Sequence, residues 1–144
     1  VVGISASGTT PYVLASLKAC REHGIPTGSI VNNPESPISG YSDYPVEILT
    51  GPEFITGSTR MKSGTSQKLL CDMISTTLMC RLGRVEGNRM VCAHLINNKV
   101  VDRLTRTLMD RNGITDYALV ESEIKACGGL REAESSLRQK GYIQ

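Results

Sequence analysis

Tryptophan is absent from these 144 residues, phenylalanine occurs once, and aromatic side chains make up only 4% of the chain. A core built on stacked aromatics is therefore excluded, and aliphatic packing must carry the fold. No apolar run approaches the roughly 20 residues that span a bilayer. Charge of one sign is also missing: sixteen Lys and Arg are dispersed among fourteen acids, for a net charge of +2. That balance gives no nucleic-acid surface, whereas a single phosphate needs only a few local donors. The five cysteines (Cys20, Cys71, Cys80, Cys92 and Cys127) form no CxxC pair and no zinc spacing. They read as free thiols in a reducing compartment. The two histidines, His23 and His94, are far apart and have no cysteine or carboxylate at ligand spacing. No metal and no cofactor are expected.

What the chain does have comes first. Val1-Val2-Gly3-Ile4-Ser5 reads as a buried parallel strand, apolar on both faces. It runs into Ala6-Ser7-Gly8-Thr9-Thr10-Pro11, with Thr10 as a helix cap and Pro11 at the first helical position. The first N–H groups of a helix have no internal partner and carry the positive end of its dipole. Ser5, Ser7, Gly8, Thr9 and Thr10 thus form a candidate phosphate loop. The loop lacks the spacing and lysine of a P-loop and the Gly-x-Gly-x-x-Gly dinucleotide pattern.

Beyond it, the first helix carries Val13, Leu14, Leu17 and Cys20 and ends at Gly24. A second strand is predicted over 26–31, then a Ser/Pro/Gly loop to Gly40, then a short third strand over 46–49. This is the β-α-β pattern of an open α/β sheet with ligand loops at its strand ends. The polar segment Thr50–Thr65 leads into the longest helix, predicted over 59–82, whose Leu69, Leu70, Met73, Ile74, Leu78 and Leu82 suggest packing in the domain centre. After a soft boundary near residue 97, three amphipathic helices follow. The first covers 97–111, the second is capped by Thr115, and the last begins after Gly128-Gly129. The chain divides on this reading into residues 1–96 and 97–144.

Glu53, with Ser58, Thr59, Arg60 and Lys62 downstream, is the second chemical cluster. A carboxylate on a rigid loop can serve as general acid or base, or simply as a helix-start charge and hydrogen-bond acceptor. Ser58 and Thr59 can cap the long helix or touch a ligand. Lys62 can offset phosphate charge or point to solvent.

Taken together these motifs resemble the sugar isomerase (SIS) domain. Ser5, Ser7, Gly8 and Thr10 fit its Ser-x-Ser-Gly-x-Thr loop. Gly51 to Lys68 fits, at every fixed position, the Gly-Pro-Glu-x-x-Thr-Gly-Ser-Thr-Arg-x-Lys-x-Gly-Thr-x-Gln-Lys signature of N-acetylmuramic acid 6-phosphate etherases. Asn33-Pro34, Ser36-Pro37-Ile38 and Arg81-Leu82-Gly83 fit as well. The resemblance implies a three-layer α/β/α SIS fold with a parallel sheet and a three-helix tail similar to ubiquitin-associated domains. It implies lyase-type cleavage of the D-lactyl ether of N-acetylmuramic acid 6-phosphate, without cofactor or metal, in a cytoplasmic homodimer that binds neither nucleic acid nor membrane. Substrate contacts fall to Ser5, Ser7, Gly8, Thr9, Thr10, Glu53, Ser58, Thr59 and Lys62. Glu53 is the one carboxylate in the motif, while the family's acid/base glutamates belong to an N-terminal half not found in this chain. The sequence therefore reads as a fragment, starting inside a strand. Ser5, Thr9 and Cys92 depart from common etherase residues. A non-catalytic phosphosugar sensor resembling the glucokinase regulatory protein, or a phosphosugar isomerase, stays open as an alternative.

Overall fold

The computed structural model describes all residues, Val1–Gln144. It divides into two compact units, Val1–Ser75 and Thr76–Gln144. The first unit holds a three-stranded parallel sheet of β1 (Val2–Ser5), β2 (Gly28–Val31) and β3 (Tyr44–Glu47), in the order β1-β2-β3. Gly3 pairs with Ser29 and Ser5 with Val31, and Ile30 pairs with Val46. The third strand starts two residues before its predicted span, because Tyr44-Pro45 continues the ladder despite the proline, as an edge strand permits.

Helices α1 (Pro11–Glu22) and α2 (Pro37–Gly40) cover one face of this sheet. Leu17, Val31 and Ile38 form its buried core, with Val13 and Leu14 packed alongside. Gly3 is required there: a Cβ at this position would sit 2.7 Å from Val13 Cγ1 and 2.9 Å from Leu17 Cδ1. The other face differs from expectation. Val2, Ile4, Tyr44 and Val46 are exposed, so β1 is not buried on both sides. Helix α2 falls in a stretch expected to be loop. Ser36 caps it, accepting the Ser39 N–H at 3.2 Å, and Pro37 opens it.

Helix α3 (Lys62–Arg81) begins three residues later than predicted. Its expected central packing is not found: Leu69, Met73, Ile74, Leu78 and Leu82 are exposed and Ser63 is its one buried residue. The apolar residues of α3 are spread around the helix rather than gathered on one side, so their recurrence does not mark a single core-facing stripe.

The second unit starts in the last turns of α3 and continues into the hairpin β4 (Val85–Glu86) and β5 (Arg89–Met90), joined by Gly87-Asn88 with Gly87 at φ 58. The Gly-Asn pair was a readable turn signal. Helices α4 (Asn98–Asn112), α5 (Tyr117–Cys127) and α6 (Leu130–Gln139) follow. Their shared core is Val101, Leu104, Leu108, Val120, Ile124, Leu130, Ala133 and Leu137. Asp116, not Thr115, caps α5, its carboxylate accepting the Leu119 N–H at 3.0 Å. Ala93 and Leu95 pack on the helical core, which places the segment before residue 97 with the helices rather than with the sheet. Glu86 and Glu134 both grip Arg111, at 2.5 and 2.8 Å, fastening the hairpin to α4 and α6.

Candidate functional site

Where β1 ends, the chain must turn sharply into α1, and small residues make this possible. Gly8 adopts φ 72 and lies against Ser36. Ser5 Oγ is the hub of the turn: it accepts the Gly8 N–H at 3.1 Å and lies 2.8 Å from Thr10 Oγ1. Ser7 Oγ accepts from the Thr9 hydroxyl at 3.0 Å and from the Thr9 N–H at 3.3 Å. Thr10 occupies the cap position of α1 but makes no side-chain cap, having turned its hydroxyl to Ser5 instead. The first main-chain bond of the helix is Leu14 N–H to Thr10 O at 3.0 Å, which leaves the earlier N–H groups open at the dipole's positive end. Asn33 Nδ2 donates to Ala6 O (3.1 Å) and Ser7 O (3.3 Å), and Ile38 N–H donates to Gly8 O (3.1 Å), so the loop is pinned from behind.

The second cluster is organised by Glu53. Its Oε2 accepts the Lys62 N–H at 3.0 Å and its Oε1 the Ser63 N–H at 3.0 Å. Glu53 is thus the cap of α3, reaching across nine residues, which is the helix-start reading of this carboxylate, and Ser58 and Thr59 do not take that place. The Ser63 N–H, then the Lys62 N–H, hold its carboxyl below the ordinary glutamate range. An ionised, doubly bonded carboxylate is a poor proton donor at neutral pH. Lys62 Nζ donates to Pro52 O at 2.8 Å and so clamps the same loop. Ser58 N–H closes a turn onto Ile55 O (3.0 Å), and Thr59 O accepts the Gly64 N–H (3.0 Å).

These two clusters share a cavity of about 210 Å³ in the first unit. Ala6 lines it from the phosphate loop, Asn32 and Asn33 from the end of β2, and Glu53, Thr59 and Ser63 from the signature segment. Of the predicted residues, Glu53 and Thr59 line the cavity itself. Ser5, Ser7, Gly8, Thr9 and Thr10 form the adjoining turn, and Ser58 and Lys62 brace the wall. Asn32, Asn33 and Ser63 were not singled out as site residues. The Asn-Asn-Pro run at a strand's carboxyl end was the available signal.

A larger cavity of about 350 Å³ lies in the second unit, bordered by Arg84, Cys92, His94 and Cys127. It holds none of the predicted residues. Arg84 is engaged with Cys92 Sγ at 3.4 Å, and Arg131 with Gly83 O at 2.8 Å. No group of three His, Cys, Asp or Glu side chains is placed to hold a metal ion, and the five cysteines are unpaired. No helix is long and apolar enough to cross a membrane.

Comparison with known proteins gives a consistent set of relatives. Among curated proteins, N-acetylmuramic acid 6-phosphate etherase from Porphyromonas gingivalis is 51% identical over 140 residues, covering 97% of this chain and 51% of that protein. The etherase of Bacteroides thetaiotaomicron is 47% identical over the whole chain and 52% of its own length. That of Mycolicibacterium smegmatis is 49% identical over 92% of this chain and 45% of its own length. The chain spans about half the length of the curated relatives it matches. The SIS domain model matches residues 1–76, which contain the sheet, both loops and the start of α3. With that match extending over the whole first unit, the chain belongs to the SIS domain family.

Proposed function

We propose that this chain is the phosphosugar-holding part of an N-acetylmuramic acid 6-phosphate etherase. The reaction takes N-acetylmuramic acid 6-phosphate and water to N-acetylglucosamine 6-phosphate and D-lactate, by elimination of lactate and addition of water, and serves cell-wall amino-sugar recycling. The observation that carries this reading is the joint cavity of Ala6, Asn32–Asn33 and the Glu53-capped signature loop, in a chain whose relatives bear the etherase name. Ser5, Ser7, Gly8, Thr9 and Thr10 receive the phosphate at the start of α1. Glu53, Ser58, Thr59 and Lys62 shape the sugar side. Because Glu53 is ionised and committed to α3, its role is to position the sugar wall, and the proton transfers fall to other carboxylates.

The same commitment of Glu53 favours the second reading, a phosphosugar sensor that binds without cutting. The bare sheet face with Val2, Ile4, Tyr44 and Val46 supports a third layer completing an α/β/α sandwich. The exposed apolar side chains of α3 support a homodimer interface on that helix. We place the protein in the cytoplasm and read α4–α6 as a ubiquitin-associated-like bundle. Incubating the full-length protein with N-acetylmuramic acid 6-phosphate tests the reading: D-lactate release supports the etherase, and tight binding without lactate supports the sensor.

A further inference from the structure

Resting on the phosphosugar reading, we infer that Asn32 is a positioning residue that couples the two walls of the site, with Gln67 as its partner. Asn32 follows β2 at the carboxyl end of the central strand and is 8% exposed. Its N–H donates to Ala6 O at 3.1 Å, inside the phosphate loop. Its Nδ2 donates to Ile48 O at 3.0 Å and to Ser66 Oγ at 2.9 Å. Its Oδ1 accepts from Gln67 Nε2 at 2.9 Å. Ser66 Oγ in turn donates to Ser63 O at 2.8 Å, and the Ser63 N–H is held by Glu53. One unbroken series of hydrogen bonds therefore runs from Ala6 through Asn32, Ser66 and Ser63 to Glu53, joining both loops that line the cavity.

The chemistry demands an amide. Both Asn32 side-chain N–H groups are engaged, so the residue acts through its neighbours rather than by donating to a ligand. Aspartate has the same shape but no donors, and would set a carboxylate against the Ile48 carbonyl. Gln67 does not line the cavity, and its bond to Asn32 fixes the first turns of α3 against the end of β2. Asn32's own N–H bond to Ala6 survives any side-chain change, so the phosphate loop stays set while the sugar wall loosens.

The test uses the full-length protein titrated with N-acetylglucosamine 6-phosphate and, separately, with inorganic phosphate, with thermal melting in parallel. Gln67→Met and Asn32→Asp are each expected to weaken sugar-phosphate binding about tenfold, while inorganic phosphate binding stays within about twofold of wild type. The double variant is expected to bind no worse than the weaker single variant, because both break one connection. Unchanged sugar-phosphate affinity in Gln67→Met, or a parallel fall of both affinities with melting temperature, overturns the inference. Gln67→Met carries the test if Asn32→Asp does not fold, since Gln67 is half-buried at the helix surface. A wild-type protein that binds no sugar phosphate overturns the proposed function and this inference with it. Wild-type binding matched by both variants overturns the inference alone.

Discussion

Gly8 and Ser36 are in such close approach that a Cβ on Gly8 would lie 2.2 Å from Ser36 Cβ. The contact seats the phosphate turn on the cap of α2, and the two are further joined by the Ile38 N–H bond to Gly8 O. Gly8 also has φ 72, so it is constrained twice. Gly57 has φ 79 but open space around its Cβ position. Gly8→Ala is therefore expected to destabilise by about 2–4 kcal/mol, and Gly57→Ala by about 1 kcal/mol, when measured by denaturant unfolding. Phosphosugar affinity is expected to fall in Gly8→Ala.

Glu53 offers a second contrast. Glu53→Gln keeps one acceptor oxygen for two N–H donors and turns an amide N–H toward the other, so the capping of α3 is weakened. Ser58→Ala and Thr59→Ala leave that cap intact. Amide hydrogen exchange at Lys62 and Ser63 checks this, with faster exchange expected in Glu53→Gln alone.

The same carboxylate sets a pH dependence. Its folded pKa is lowered, chiefly by the Ser63 and Lys62 N–H groups, so its contribution is present above the unfolded glutamate value of about 4.3. The contribution is lost as pH falls through the lower folded value. Between pH 7 and pH 5 the exchange protection of Ser63 is expected to hold, and it is expected to decline only once the solution is acidified below the unfolded glutamate value. Glu53→Gln removes this step from the profile.

At the other end of the chain, the adjacent residues Thr115 and Asp116 differ in function. Asp116 accepts the Leu119 N–H at 3.0 Å. Asp116→Ala is expected to cost about 1 kcal/mol in urea unfolding of the second unit, and Thr115→Ala about 0.5 kcal/mol or less.

Ser29, in the central strand β2, is buried and its hydroxyl finds no partner. An unpaired buried hydroxyl carries a desolvation cost that alanine does not. Ser29→Ala is expected to be neutral or stabilising by up to about 1 kcal/mol, read as a shift in unfolding midpoint.

Local rules carried much of the fold into view from the residues alone. Pro11, Gly24, Gly113 and Gly128 mark helix limits by backbone chemistry that acts within a few residues, and α1, α4 and α6 lie close to their predicted spans. The misplaced features depend on longer reach. Thr10 chose Ser5 over its own helix, five residues away, and among the readable candidates for the start of α3 it is contacts nine and ten residues off that select Glu53 over Ser58 and Thr59. The apolar residues of α3 and β1 are legible in the sequence, but whether anything covers them is not. The Asn-Asn-Pro run marked Asn32 only as the end of a strand, since the partners that give it significance lie 16, 34 and 35 residues away.

The central claim is that one phosphosugar touches both the turn after β1 and the Glu53-capped loop. Backbone amide NMR of the full-length protein titrated with N-acetylglucosamine 6-phosphate tests it most directly. The account predicts saturable shifts at Ala6–Thr10, Asn32–Asn33 and Gly51–Ser63. Shifts confined to the second unit, or none at saturating sugar phosphate, would contradict it.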